Sequence, residues 1–146
     1  MLKRDWTLLV IAAAKGEKVS PVQLQKALFL LSDKLSNEQR QTKSFYKFEP
    51  YDYGPFCADV YSDAEALAAS DLVCIACENF SFRQYSVTPK GEAGAAKLRK
   101  ELDGPVRIYL DAIVEWVRSQ PFAELVQAIY KMYPAMKANS IFQEPE

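Results

Sequence analysis

Apolar residues recur at helical spacing through most of the chain, and the pattern gives way to β-prone runs near its middle. Trp6, Leu9, Val10 and Ala13 share one face of a first helix, predicted over about residues 6–15 with Asp5 as its cap and Gly16 at its end. Ser20, Pro21 and Gln23 mark the next start. Ser20 supplies a capping hydroxyl, Pro21 lacks only an N–H that the first helical position leaves orphaned, and Gln23 completes a capping box. Val19 and Leu24 stand at the hydrophobic-staple positions. The predicted helix, about residues 21–36, carries Leu24, Ala27, Leu28, Leu31 and Leu35 on its core face. Phe29 and Leu30 widen that stripe, as in a central helix covered from two sides.

Residues 36–44 are polar and without period, which predicts a surface loop. Phe45, Tyr46, Phe48, Tyr51 and Tyr53 follow, interrupted by Pro50, and read as extended chain laid across the helices. Such rings either present a sticky surface to a partner or ligand or fill the space under a loop. Gly54-Pro55 reads as a backbone break and a helix start, glycine at the cap and proline at the first position. Phe56, Val60, Ala64, Leu67 and Ala68 then mark the buried face of a helix of about residues 55–70, with Asp59, Asp63 and Glu65 pointing outward.

Residues 72–77 and 82–87 are β-prone, and residues 78–81 between them suit a hairpin turn. Thr88 and Pro89 start a helix to about Leu102 that carries Ala93, Ala96 and Leu98, and Asp103-Gly104-Pro105 breaks it. Val106, Tyr109, Leu110, Ile113, Val114 and Val117 predict a helix of about 105–118. Phe122, Leu125, Val126, Ile129, Tyr130 and Tyr133 predict another of about 121–133, stopped by Pro134. The tail through Ile141 and Phe142 is expected to pack back as a turn or short helix. The stripes of the last two helices suit either packing on the core or sharing across a homodimer.

Length and charge narrow the function classes. A chain of 146 residues suits one domain with a full core. A net charge of −1 gives no bulk electrostatic reason to seek nucleic acid or an anionic membrane. The apolar run from Leu8 to Ala14 is too short for a membrane span and reads as helix, not signal peptide. Three cysteines without framework spacing suit a reducing compartment, and the expected location is cytoplasmic. The chain contains no histidine, so it cannot by itself build a Ser–His–Asp or Cys–His nucleophile or a His-containing zinc site. Gly54 and Gly91 are isolated, so no phosphate-cradling loop is present and no cofactor or metal is implied. Cys74 and Cys77 lie in or beside a predicted strand, not at a helix N-terminus, and with Cys57 are expected as small buried hydrophobes.

Three helices followed by a hairpin is the order of a winged helix, here extended by C-terminal helices. The predicted class is therefore α+β, mainly α, with a winged-helix-like core over about residues 1–102 and a helical extension over 105–146. Residues 85–91, Tyr-Ser-Val-Thr-Pro-Lys-Gly, look like a strand-to-helix junction common in winged-helix proteins. Together with Leu24-Gln25-Lys26-Ala27-Leu28-Phe29, Tyr53-Gly54-Pro55 and Val60-Tyr61, they resemble the Panacea domain of SocA-like antitoxins and the YwgA-like proteins. Residue 27 is Ala where that family prefers a large aliphatic residue, and Phe56 stands in place of a common Val. The resemblance covers about residues 20–100 and implies a non-enzymatic protein, neutralising a toxin by contact or acting as an adaptor for proteolysis.

Charge distribution assigns the candidate surfaces. Residues 49–71 hold Glu49, Asp52, Asp59, Asp63, Glu65 and Asp71 and no Lys or Arg. An acidic third helix is repelled by phosphate and lacks the side chains that read bases, so it suits a basic protein partner. The candidate partner-binding residues are Tyr51, Asp52, Tyr53, Asp59, Asp63 and Glu65. The alternative is a DNA-binding regulator contacting the backbone through Arg83, Lys90, Lys97, Arg99 and Lys100, a run that equally suits a solvated helix face.

Overall fold

The computed structural model describes residues 1–77 and 83–143. Its elements begin with α1 (Lys3–Ala13), α2 (Pro21–Lys34), the short α3 (Asn37–Arg40), β1 (Glu49–Tyr51), β2 (Gly54–Phe56) and α4 (Ala58–Ala69). They continue with β3 (Val73–Cys77), β4 (Arg83–Val87), α5 (Pro89–Lys100), α6 (Gly104–Ser119) and α7 (Phe122–Met132), then a 3-10 turn at Pro134–Lys137. The fold is α+β and mainly α, with two separate two-stranded antiparallel sheets.

α1 packs against α2 and α4, and the β3–β4 hairpin follows α4 in winged-helix order. Val73 pairs with Val87 and Cys77 with Arg83; the turn expected at 78–81 lies outside the described residues. Between α1 and α2, Val19 exchanges backbone hydrogen bonds of 2.8 and 2.9 Å with Tyr85, adding a one-residue strand to the hairpin. Gly91 lets α5 reach the start of that hairpin, because a Cβ there would stand 1.9 Å from the Leu72 carbonyl oxygen. α6 lies on α1 and α2, where Val106, Leu110, Ile113, Val114 and Val117 are buried. Each such side chain contributes about 1.5–3 kcal/mol, so the α6 stripe is spent within the chain. α2 is covered by α1 and α6, as its wide stripe predicts.

Where capping is local the predicted starts match. Ser20 and Gln23 exchange bonds of 3.1 and 2.9 Å, and the Thr88 hydroxyl accepts from the Gly91 amide at 3.0 Å. Four expectations are corrected. α1 begins at Lys3, because the Asp5 carboxylate reaches back to the Leu2 amide at 2.8 Å from inside the first turn. The polar stretch 36–44 is not all loop: Ser36 and Gln39 form a second capping box and start α3.

Gly54-Pro55 is not a helix start. Gly54 takes φ +106° at the turn into β2, and α4 begins after Cys57. Phe56 therefore belongs to β2, not to the α4 face. Gln25 fixes that junction by accepting from the Cys57 amide and donating to its carbonyl, both at 3.0 Å. Finally, Cys57 is buried as expected, but Cys74 and Cys77 are exposed, because Cys74 points to the face opposite the inward Val73 and Ile75 and Cys77 ends the strand.

Candidate functional site

The turn between β1 and β2 is held from three directions. Glu49 pairs with Phe56 and Tyr51 with Gly54, which sets Asp52 and Tyr53 at the tip. From below, the Lys26 ammonium donates to the Tyr53 carbonyl at 2.5 Å. From the side, the Ile141 amide and the Ser140 hydroxyl donate to the Asp52 carbonyl at 2.9 and 3.3 Å, and Asn139 donates to the Pro50 carbonyl at 3.2 Å. The Tyr130 hydroxyl on α7 in turn holds Ser140 at 2.5 Å. The C-terminal tail thus packs back, as its sequence predicts.

Lys26 projects from a helix whose neighbouring positions are all buried, and it is itself only 2% exposed. Burial lowers its pKa from the ordinary 10.5 to about 8, because a desolvated ammonium is disfavoured. Lys26 also lines a cavity of about 150 Å³ with Val22, Gln25, Tyr51, Phe56 and Tyr61. Ring contacts continue outward, Tyr51 to Phe56 at 4.8 Å, Phe56 to Tyr61 at 5.7 Å, Tyr53 to Phe122 at 5.2 Å and Phe122 to Phe142 at 6.1 Å. Burial pushes the Tyr61 hydroxyl up to about 12, so it stays protonated at neutral pH.

The predicted site residues divide into groups that do not converge. Tyr51, Asp52 and Tyr53 share the turn. On α4, each candidate carboxylate meets a different partner. Asp59 pairs with Lys3 at 3.1 Å and Glu65 with Arg83 at 3.2 Å. Asp63 is not a free outward acid: it accepts from the Tyr46 hydroxyl at 2.6 Å, and that hydroxyl also meets Thr7 at 2.6 Å. Burial, then the Asp63 bond, pushes the Tyr46 pKa far up. The α4 acids are therefore largely answered within the chain.

The basic residues fare similarly. Arg83 points to α4, Lys90 donates to the Ser70 carbonyl at 3.0 Å, and Arg99 forms a bidentate pair with Asp111, both bonds at 2.8 Å. Only Lys97 and Lys100 of the five are exposed without a partner among the described residues. Among the described residues, no group of three or more Cys, Asp or Glu is placed to hold a metal ion. No helix among them is long and apolar enough to cross a membrane.

Sequence reasoning missed Lys26 and the contribution of Tyr130, Phe122 and Phe142. A signal for Lys26 was present: a charged residue inside a stripe wide enough to be covered on two sides has nowhere to put its head group. No signal in the stripe of α7 says that its N-terminal ring meets a tyrosine on the β1–β2 turn. No family model, curated protein or solved structure matches this chain.

Proposed function

We propose that the chain is a non-enzymatic protein-recognition module, antitoxin-like or adaptor-like in the sense of the Panacea resemblance, that docks its partner on the aromatic surface around the β1–β2 turn. One observation carries this reading. Tyr51, Tyr53 and Phe122 remain 52%, 39% and 47% exposed although each is fixed by a neighbouring ring. Aromatic side chains that are exposed yet already immobilised lose little entropy on binding, which is the property of interface hot spots. Asp52 stands at the tip of the same turn. Its carboxylate supplies the negative charge beside these rings that favours a basic partner, whereas Asp59, Asp63 and Glu65 are paired within the chain.

The test is capture from the native host by the tagged chain and by a Tyr53→Ser/Phe122→Ser variant, with and without nuclease treatment. A stoichiometric protein retained by the natural chain and lost by the variant, with unchanged circular dichroism, is the expected result. A partner retained equally by both moves the interface elsewhere. Nucleic acid without a protein partner favours the alternative, a regulator acting through Lys97 and Lys100.

A further inference from the structure

Lys26 is a buried cation with one partner. Its ammonium has three protons to donate, and among the described residues it donates to a single acceptor, the Tyr53 carbonyl. No carboxylate among them lies within 4.0 Å of its nitrogen. A buried charge left in this condition is costly unless something else completes its hydrogen bonds. The space to do so is adjacent: Lys26 is part of the wall of the roughly 150 Å³ cavity, whose other walls include the rings of Tyr51, Phe56 and Tyr61. A Cβ at Gly54 would stand 3.5 Å from the Lys26 nitrogen, so the bare backbone there keeps the region beside the amine open.

We infer that this cavity binds a monocarboxylate carried on an apolar or aromatic body, with the Lys26 ammonium taking the carboxylate and the rings taking the rest. The volume is on the order of five water molecules, enough for a carboxylate and its first carbons while the remainder projects past the rings. A single ammonium neutralises one negative charge. Asp52 also lines the cavity and repels an anion in proportion to its charge, so a phosphate dianion is selected against. A free organic acid and the C-terminal carboxylate of a peptide share this chemistry. The inference goes beyond the protein-docking reading, since small probes test it without any protein partner.

The experiment titrates the full chain with phenylacetate and with phenylacetamide, its neutral analogue, and follows the Lys26 side-chain methylene resonances by NMR. Phenylacetate is expected to shift them saturably, and the amide to bind about tenfold more weakly or worse, as loss of a charge-assisted hydrogen bond requires. Lys26→Met should remove phenylacetate binding and retain the folded spectrum. Equal binding of acid and amide, or undiminished binding by Lys26→Met, overturns the inference. If Lys26→Met fails to fold, the comparison of acid with amide on the natural chain decides alone. A second arm uses N-acetyl-Gly-Phe with a free or an amidated terminus. Preference for the free-terminus peptide over phenylacetate assigns the site to chain ends, and the reverse order to a free acid. Absence of a saturable shift with either overturns the site.

Discussion

Lys26 and Arg40 set the fold the same problem and receive opposite answers. Both are buried cations without a carboxylate among the described residues, 2% and 7% exposed. Arg40 sits beyond the C-terminus of α2, where the last carbonyls have no intrahelical donors and carry the negative end of the helix dipole. Its guanidinium donates to the carbonyls of Leu31, Ser32 and Leu35 and to the Asn37 side chain, and it stacks on Phe45 at 4.9 Å. Lys26 emerges from the middle of the same helix, where every carbonyl is already used, and finds one acceptor on another element. The difference teaches that position along a helix decides whether a buried charge becomes structural. At the end of α2 the backbone and Asn37 take the terminal nitrogens of Arg40 and leave only Nε without a partner among the described residues; in the middle the charge remains partly open, beside a cavity.

The largest expected effect tests the satisfied member. Arg40→Met removes the side-chain donor to the Ser32 and Leu35 carbonyls, while that of Leu31 keeps the Leu35 amide, and should cost about 3 kcal/mol, read from the urea unfolding midpoint. A loss well under about 1 kcal/mol would break the comparison, because the carbonyl cage would then not be what Arg40 is for.

Next comes the unsatisfied member, through its pH dependence. With a folded-state pKa of about 8 against an ordinary 10.5, Lys26 holds its proton less tightly in the folded chain. The unfolded chain therefore holds this proton more tightly between these values, and Lys26 by itself should contribute a rise of about 2 kcal/mol from pH 8 to pH 10. Tyr51 on β1, Asp52 and Tyr53 on the turn, Tyr61 on α4 and Tyr130 on α7 are the other titratable groups around it. From about pH 9.5 upward the sign reverses. Burial raises the hydroxyl pKa of Tyr46, Tyr61 and Tyr133, so the unfolded chain loses those protons first and stability falls. Lys26→Met should abolish the rise and leave the fall; a rise that survives the substitution would assign it to another group.

The smallest effects extend the comparison to acids. Asp63→Asn weakens the bond to the buried Tyr46 hydroxyl and should cost about 1 kcal/mol. Asp59→Asn breaks only the exposed pair with Lys3 and should change stability by less than about 0.5 kcal/mol. Chemical denaturation of the two variants side by side separates a carboxylate tied to the core from one on the surface. The same difference means that reversing both to Lys would perturb the fold at Asp63 before it reported on any partner.

The sequence by itself determined what depends on a few neighbouring residues. The Ser20–Gln23 and Thr88–Pro89 helix starts were legible because a cap and its donor lie within one turn, and the stripes of α2, α6 and α7 because burial repeats with the helix period. The same locality explains the limits of the site prediction. Periodicity pointed Asp63 outward, but its partner Tyr46 is 17 positions earlier. Gly54-Pro55 suits a helix start and a strand turn equally well in local terms. The choice was made by Lys26, 27 positions before the carbonyl it holds, and by Ser140, 88 positions after the carbonyl it caps. Only the tertiary structure decided that turn, and with it which aromatic rings stay exposed and where a buried amine meets open space. These outcomes follow from hydrogen bonds and desolvation between distant segments, which leave no period in the chain.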